Sequence, residues 1–457
     1  MGEADRTALP EEQIDQWRSY VLRRQAIHPV DVAELEDHLR EQIAGLMDAG
    51  LDADEAFLVA VKRMGGLDQL SREFAREHSE RLWKQLVVEG ADGADTPAKA
   101  RIEAWVAFGL AVAAAVLVKV PALFGIELGA DTGFYARNAS LLVLPLLCGF
   151  FVWKRGFSAP IVRWLALAFA SGLTFANVYP LAEGGYTETL TALHLPIALW
   201  IGAVGVAYAG RRWNDVNGRM DFIRFSGELF IYYVLIALGG GVLMGFTAMI
   251  FSAIGVDIEP FFESWVLPCG AAGALLIASW LVEAKQSVIE NMAPVLTRLF
   301  TPLFAIVLVV FLGTMLVTGR GVDIQREVLI AFDLLLVLVL ALVLYSVSAR
   351  DPLARPGFFD VLQVALVIVA LAADAVALWA IGARIGEFGL TPNRVAALGE
   401  NVILLVNLGW TAVLYLRFLR GSGSFSAIER WQTGYVPVYA AWAAMVVVVF
   451  PPLFGYI

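Results

Sequence analysis

The sequence predicts an all-α, polytopic helical membrane protein of about eleven transmembrane helices, preceded by a soluble N-terminal helical domain. Three observations predict it. Mean hydropathy is +0.70, with 59% hydrophobic and 17% charged residues, a balance outside the range of soluble globular domains. Charge is uneven: residues 1–100 are dense in Glu, Asp, Arg and Lys, and the remainder is mostly apolar. Apolar runs of about 20 residues then recur along the chain, the length a helix needs to cross the hydrocarbon of a bilayer. The expected division is a soluble domain over 1–89, a linker over 90–101 and a multi-span domain over 102–457. Net charge of −10 and a pI near 5.1 argue against nucleic-acid binding, which needs a basic face. Cys148 and Cys269 lie in apolar runs and form neither a zinc pattern nor a disulfide framework, so no metal or cofactor is expected. The N-terminus is charged and has no apolar segment of signal-peptide type, so insertion is expected to start at the first span.

The soluble part reads as four helices. The first holds Ile14, Trp17, Tyr20 and Val21. The second starts at His28-Pro29, places Asp31 and Glu34 where negative charge suits the helix dipole, and buries Leu35, Leu39, Ile43 and Leu46 before stopping at Gly50. Asp52 with Glu55 forms a capping-box pattern for a third helix ending at Gly65-Gly66. A fourth runs from Leu67 to about Val88, and Gly90 to Pro97 is small and polar, a linker. The string Val-Ala-Glu-Leu-Glu-Asp-His-Leu-Arg-Glu at 32–41, followed by Gly50 to Phe57, resembles the permease prefix domain, a helical module that precedes the membrane part of some bacterial permeases. The resemblance covers roughly residues 14–75. It implies a module that binds a partner protein or itself through residues 14–86. His38 has no second histidine at ligand spacing, so a solvated helix face is expected there, not a metal site.

Eleven spans are expected: 103–125, 138–153, 161–178, 190–209, 227–253, 264–283, 295–317, 328–348, 358–382, 392–418 and 435–456. Basic residues orient them. With the N-terminus inside, inner loops and flanks hold Lys154, Arg155, Arg211, Arg212, Arg219, Arg224, Arg350 and Arg417 among others. The opposite side holds Arg137, Arg320, Arg326, Arg384 and Arg394, with acids such as Glu127, Glu183, Glu188 and Asp257. This asymmetry predicts a cytoplasmic N-terminus and an extracytoplasmic C-terminus in a bacterial inner membrane, with the lipid bilayer as the main partner. Gly239, Gly240, Gly241 and Gly245, with Gly270 and Gly273, are expected to let helices pack closely. Pro145, Pro196, Pro268 and Pro302 are candidate kinks.

The stretch Gly389 to Arg394 opens the tenth span. Thr391 before Pro392 predicts a helix start: a hydroxyl cap, then a residue whose missing N–H costs nothing in the first turn. The helix carries Glu400, Asn401 and Asn407 to a depth where polar groups are expensive and are kept for a reason. Arg394 faces the positive end of the helix dipole, so an acid, Asp374 or Glu400, is expected to pair with Arg394 or Arg384. Gln363 and Asp374, eleven residues apart, share a face to within roughly 20°. Lys119, Asp333, Asp374, Arg384, Arg394, Glu400, Asn401 and Asn407 are therefore the candidate polar or ligand site, expected near the outer leaflet. His194 reads as a satisfied interfacial histidine.

The residues from Gly389 to Arg394 and the span holding Glu400, Asn401 and Asn407 resemble the bacterial membrane family called domain of unknown function 4153. That resemblance implies an architecture and no reaction. Two function classes are expected, a transporter-like or permease-associated protein and a membrane sensor or scaffold acting through the N-terminal domain. A lipid-modifying enzyme ranks last, since no nucleophile or metal motif is present and no catalytic residue stands out.

Overall fold

The computed structural model describes residues 11, 14, 29–48, 51–63, 97–128, 132–156, 158–253, 255–284, 292–318, 326–350 and 354–457. All regular structure among them is helical. The chain divides into two compact units, Met1–Lys99 and Ala100–Ile457.

In the first unit, α1 (Pro29–Asp48) and α2 (Ala53–Arg63) enclose a small core. Leu39, Ile43 and Leu46 meet Ala56 and Ala60, and Ile14 packs into the same cluster. The Asp52 carboxylate accepts the Glu55 N–H at 2.8 Å, so the predicted cap forms. Arg40 is bound by Glu11 at 2.6 Å and by Glu36 at 3.0 Å, and that guanidinium holds the Glu11 carboxyl below its usual range. His38 contacts Gln42. The expected first helix beyond Ile14, the fourth helix and the linker up to Thr96 lie outside the described residues.

The second unit opens with α3 (Pro97–Lys119), which tightens into a 3₁₀ turn to Phe124. There follow α4 (Thr132–Arg155), α5 (Ala159–Asn177), α6 (Tyr186–Leu199), α7 (Val216–Ala253), α8 (Leu267–Ala284), α9 (Met292–Thr318), α10 (Arg326–Ala349), α11 (Phe358–Phe388), α12 (Pro392–Leu419) and α13 (Phe425–Val448). Among the described residues eight helices are long and apolar enough to cross a membrane: every helix just named except α9, α10 and α13. Shorter apolar stretches, Phe300–Val310 and Asp333–Ala349, fall in α9 and α10.

Two cores divide this unit. One gathers α3 to α6, the first turns of α7, and α8, around residues such as Leu147, Phe151, Phe225 and Leu276. The other gathers α9 to α13, around Leu336, Val343, Leu366, Leu408 and Tyr415. The most extensive pairing is α11 with α12, followed by α6 with α13, which ties the halves together. At one end of the first half Lys154 binds Glu103 (3.0 Å) and Glu283 (3.3 Å), and Arg155 binds Glu283 at 2.8 Å and covers the Tyr208 ring. In the second half Arg350 is held by Asp360 at 2.8 Å. Asn138 and Asn177 exchange reciprocal amide bonds between α4 and α5.

Pro145, Pro196 and Pro302 sit inside helices as expected, whereas Pro268 falls in the first turn of α8. After Pro196 the chain widens into a π turn, Trp200–Val204, and the Trp164 indole N–H caps the Gly202 carbonyl at 2.8 Å. One packing expectation is overturned. Gly239, Gly240, Gly241, Gly245 and Gly270 have open space where a Cβ would stand, and of these glycines only Gly273 would bring a Cβ against a neighbour, 3.5 Å from the Ala111 carbonyl oxygen. The reason is that α7 runs far beyond its packed first turns, leaving Leu238, Val242, Phe246 and Ile250 exposed, an apolar surface suited to lipid.

Candidate functional site

The turn between α11 and α12 sets the site. Thr391 caps α12 by accepting the Arg394 N–H at 3.4 Å, with Pro392 in the first turn, as the residue types require. Among the described residues Arg394 does not pair with an acid. Its guanidinium donates to the Phe388 carbonyl at 3.0 Å and the Gly389 carbonyl at 2.7 Å, and lies over the Phe388 ring. The physical reason is local. Gly389 (φ 76°) ends α11, and the short turn folds that end back over the first turn of α12. The negative end of the α11 dipole then supplies the counter-charge expected of a carboxylate. Loss of these contacts in Arg394→Ala is expected to cost about 1 kcal/mol, the scale of an exposed cation at a helix C-terminus, measured by thermal unfolding in detergent.

Eight residues into α12, Glu400 meets His194, which lies eight residues into α6. The His194 Nε2 to Glu400 Oε1 distance is 2.5 Å, and His194 Nδ1 lies 2.8 Å from the Leu190 carbonyl. A carbonyl only accepts, so Nδ1 carries its hydrogen and donates. The short contact at Nε2 then requires a second proton between the ring and the carboxylate, and the pair shares it. The His194 side chain is 6% exposed and that of Glu400 34% exposed. Leu190 on α6, Ala396 on α12 and Val446 on α13 form an apolar cluster with Phe450, which lies just beyond α13. Gly399 is there because only a glycine lets the Trp442 ring lie against α12: a Cβ would overlap that ring. Gly399→Val is expected to destabilise by about 1–3 kcal/mol through overpacking, read as a lower melting temperature in detergent.

Next to Glu400, the Asn401 side chain donates to Asp333 Oδ1 at 2.9 Å and to the Ala397 carbonyl at 2.8 Å. Both partners are acceptors, which fixes the amide orientation and leaves the buried Asn401 Oδ1 without a donor. Asp374 on α11 is 0% exposed, and neither of its carboxylate oxygens has a hydrogen-bond partner among the described residues. The predicted pairing of Asp374 or Glu400 with an arginine is thus incorrect. His194 takes Glu400, and Asp374 is buried on α11 next to Ala373 and one turn from Ala370, both members of the second core. Among the described residues no three His, Cys, Asp or Glu side chains converge as metal ligands.

Other candidates fall elsewhere. Asn407 belongs to a closed network deeper along α12. It donates to Gln432 at 3.2 Å and to the Tyr439 hydroxyl, its Oδ1 accepts from Trp431 at 2.9 Å, and Gln432 donates to Thr411 at 2.6 Å. Every polar side-chain atom of that network has a partner. Gln363 shares the buried face with Asp374 as expected, but donates to Thr301 (3.1 Å) and Ser346 (2.7 Å), tying α9, α10 and α11. Lys119 is not part of the cluster: it donates to the Ser264 carbonyl at 2.7 Å and lies over Trp265, because α3 packs in the first half. Arg384 is half-buried near the end of α11. Of the candidate list, the structure joins Asn401 to Asp333 and, at the neighbouring position of α12, Glu400 to His194, while Asp374 is buried with no hydrogen-bond partner among the described residues. No protein-family model matches the chain, and neither does any curated protein sequence or solved structure.

Proposed function

We propose that the chain is a transporter-like bacterial inner-membrane protein that spans the membrane about eleven times and binds protons at Asp374. One observation carries this reading: Asp374 is fully buried, and neither of its carboxylate oxygens has a donor among the described residues. A lone charge in such a place costs several kcal/mol, no ion pair to Asp374 forms among the described residues, and a proton is the positive charge that can be supplied and withdrawn there. Ionisable residues kept within apolar spans are the usual markers of such pathways. Expected orientation is N-terminus inside and C-terminus outside, with the permease-prefix-like unit as a cytoplasmic interaction module.

The test is proton flux into proteoliposomes driven by an imposed potassium diffusion potential. Flux is expected for the unaltered chain and is expected to vanish in Asp374→Asn. Equal flux in both would remove Asp374 from the pathway. A second reading, a sensor or scaffold, is favoured by the separate core of the N-terminal unit. Absence of flux together with a stoichiometric partner bound to that unit would support it.

A further inference from the structure

We propose that the groove between α5, α6 and α13 holds one acyl chain of an anionic phospholipid, whose phosphate is bound by Arg163 and Arg211. The inference rests on the membrane-spanning reading above and is independent of proton binding at Asp374.

A cavity of about 410 Å³ opens on the side of the bundle between these helices. It runs along α5 from Trp164 to Phe175, eleven residues or about 16 Å. That is close to half of a hydrocarbon core about 30 Å thick, the depth of one leaflet. The groove exists because its walls are small. α6 offers it Ala198, and α13 offers Ala441 and Ala444. Gly172 brings α5 so near α6 that a Cβ there would stand 3.3 Å from Leu195. Ser171 carries the sole hydroxyl of the lining, and the other side chains are hydrocarbon apart from the Trp164 indole nitrogen. That nitrogen is committed, since it donates to the Gly202 carbonyl at 2.8 Å. The walls therefore suit an apolar occupant.

Size chooses between apolar occupants. A helix about 10 Å across takes about 1,200 Å³ over the same length, so most of a partner helix would stand outside the groove. A single hydrocarbon chain touches all three walls. Lipid tails are as apolar as these walls, so moving one in from bulk lipid gains packing and little else. Preference for one lipid must come from its headgroup.

One end of the groove is basic. Trp164 marks it, an amphipathic ring of the kind found at membrane interfaces. Arg163 precedes it and is exposed, and among the described residues its guanidinium has only the Ala159 carbonyl of its own first turn, at a long 3.4 Å. Arg211 lies in the 3₁₀ turn Gly210–Asn214, also exposed, with no ion pair among the described residues. That turn packs beside α5: a Cβ on Gly210 would lie 3.9 Å from Ile161, one turn before Trp164. Other cations at this end are taken, Arg212 by Asp221 at 2.6 Å and Arg155 by Glu283 at 2.8 Å. Two guanidinium groups with spare donors match a phosphate, which they can bind through paired N–H groups. At the far end the polar groups are already used: the Tyr179 hydroxyl donates to the Val448 carbonyl at 3.0 Å, and Asn177 is tied to Asn138. A phosphate joined to an apolar chain of one-leaflet length is a phospholipid.

The experiment is native mass spectrometry of the full chain, released from detergent and titrated with dioleoyl phosphatidylglycerol or dioleoyl phosphatidylcholine. One phosphatidylglycerol per chain is expected to be retained, more tightly than phosphatidylcholine. Arg163→Ala combined with Arg211→Ala is expected to weaken that retention by about 30-fold, the scale of two cations at an anionic headgroup. Ala441→Trp fills the groove from an exposed position and is expected to weaken retention by about 10-fold. Ala444→Phe does the same if Ala441→Trp folds poorly, and Leu243→Trp, on the exposed apolar surface of α7, is expected to leave retention unchanged. Unchanged retention in both groove-filling variants would overturn the proposal, and so would equal retention of the two lipids. A dimer in detergent that Ala441→Trp dissociates would make the groove an interface between copies and overturn it as well. None of these readouts depends on Asp374, whose flux test stands or fails separately.

Discussion

Asp374→Val is expected to raise the thermal stability of the detergent-solubilised chain while abolishing proton flux. Valine is the apolar side chain nearest in shape to aspartate, and the surroundings at Ala370 and Ala373 are apolar and fully buried. An ionisable group with no partner on either oxygen contributes desolvation cost without compensating bonds. Replacing buried charges by apolar side chains of similar volume is often neutral or stabilising by about 1–4 kcal/mol, and the upper part of that range is expected here. Opposite signs for stability and activity mark a group retained for function at the expense of the fold. A loss of about 3–5 kcal/mol would instead mean that Asp374 is one member of a structural ion pair.

The second large effect is expected at His194. His194→Leu leaves Glu400 facing the apolar surroundings of α6 and α13 without its proton-sharing partner. Removing one member of a buried pair costs about 3–5 kcal/mol, and partial exposure of Glu400 places this case near the lower bound. Adding Glu400→Leu should recover part of the loss, with a coupling of about 1–3 kcal/mol in a double-mutant cycle. Thermal unfolding of the four chains provides the cycle. Additive losses would mean that the two side chains do not share a proton in the folded state.

Much of the membrane architecture was legible from the sequence. Apolar runs of spanning length located the long helices, because length and hydropathy are all that a lipid-facing helix needs. The Thr391-Pro392 start and the Asp52 cap were also legible, since each is a local bond between residues a few positions apart. The common face of Gln363 and Asp374 followed from helical periodicity. Partners could not be read in the same way. The acid assigned to Arg394 was wrong because backbone carbonyls, which carry no sequence signature, satisfied it first. His194, read as a satisfied histidine, does have partners on both ring nitrogens, but Glu400, 206 residues away, could not be assigned to it from the sequence. A coarse signal for it was present nonetheless: His194 and Glu400 both lie in the outer parts of spans that start on the same side. Lys119 shared the expected depth but belongs to the other core, and depth alone does not say which helices are neighbours. The α7 glycines failed for the same reason, since a small residue permits close packing without requiring it.

The most direct measurement is proton uptake by the full chain in weakly buffered nanodiscs after a pH jump from alkaline to acidic solution, compared with Asp374→Asn under the same jump. Uptake lower by one full equivalent per chain in the variant is expected if Asp374 is the buried proton site. Equal uptake by the two proteins would contradict it.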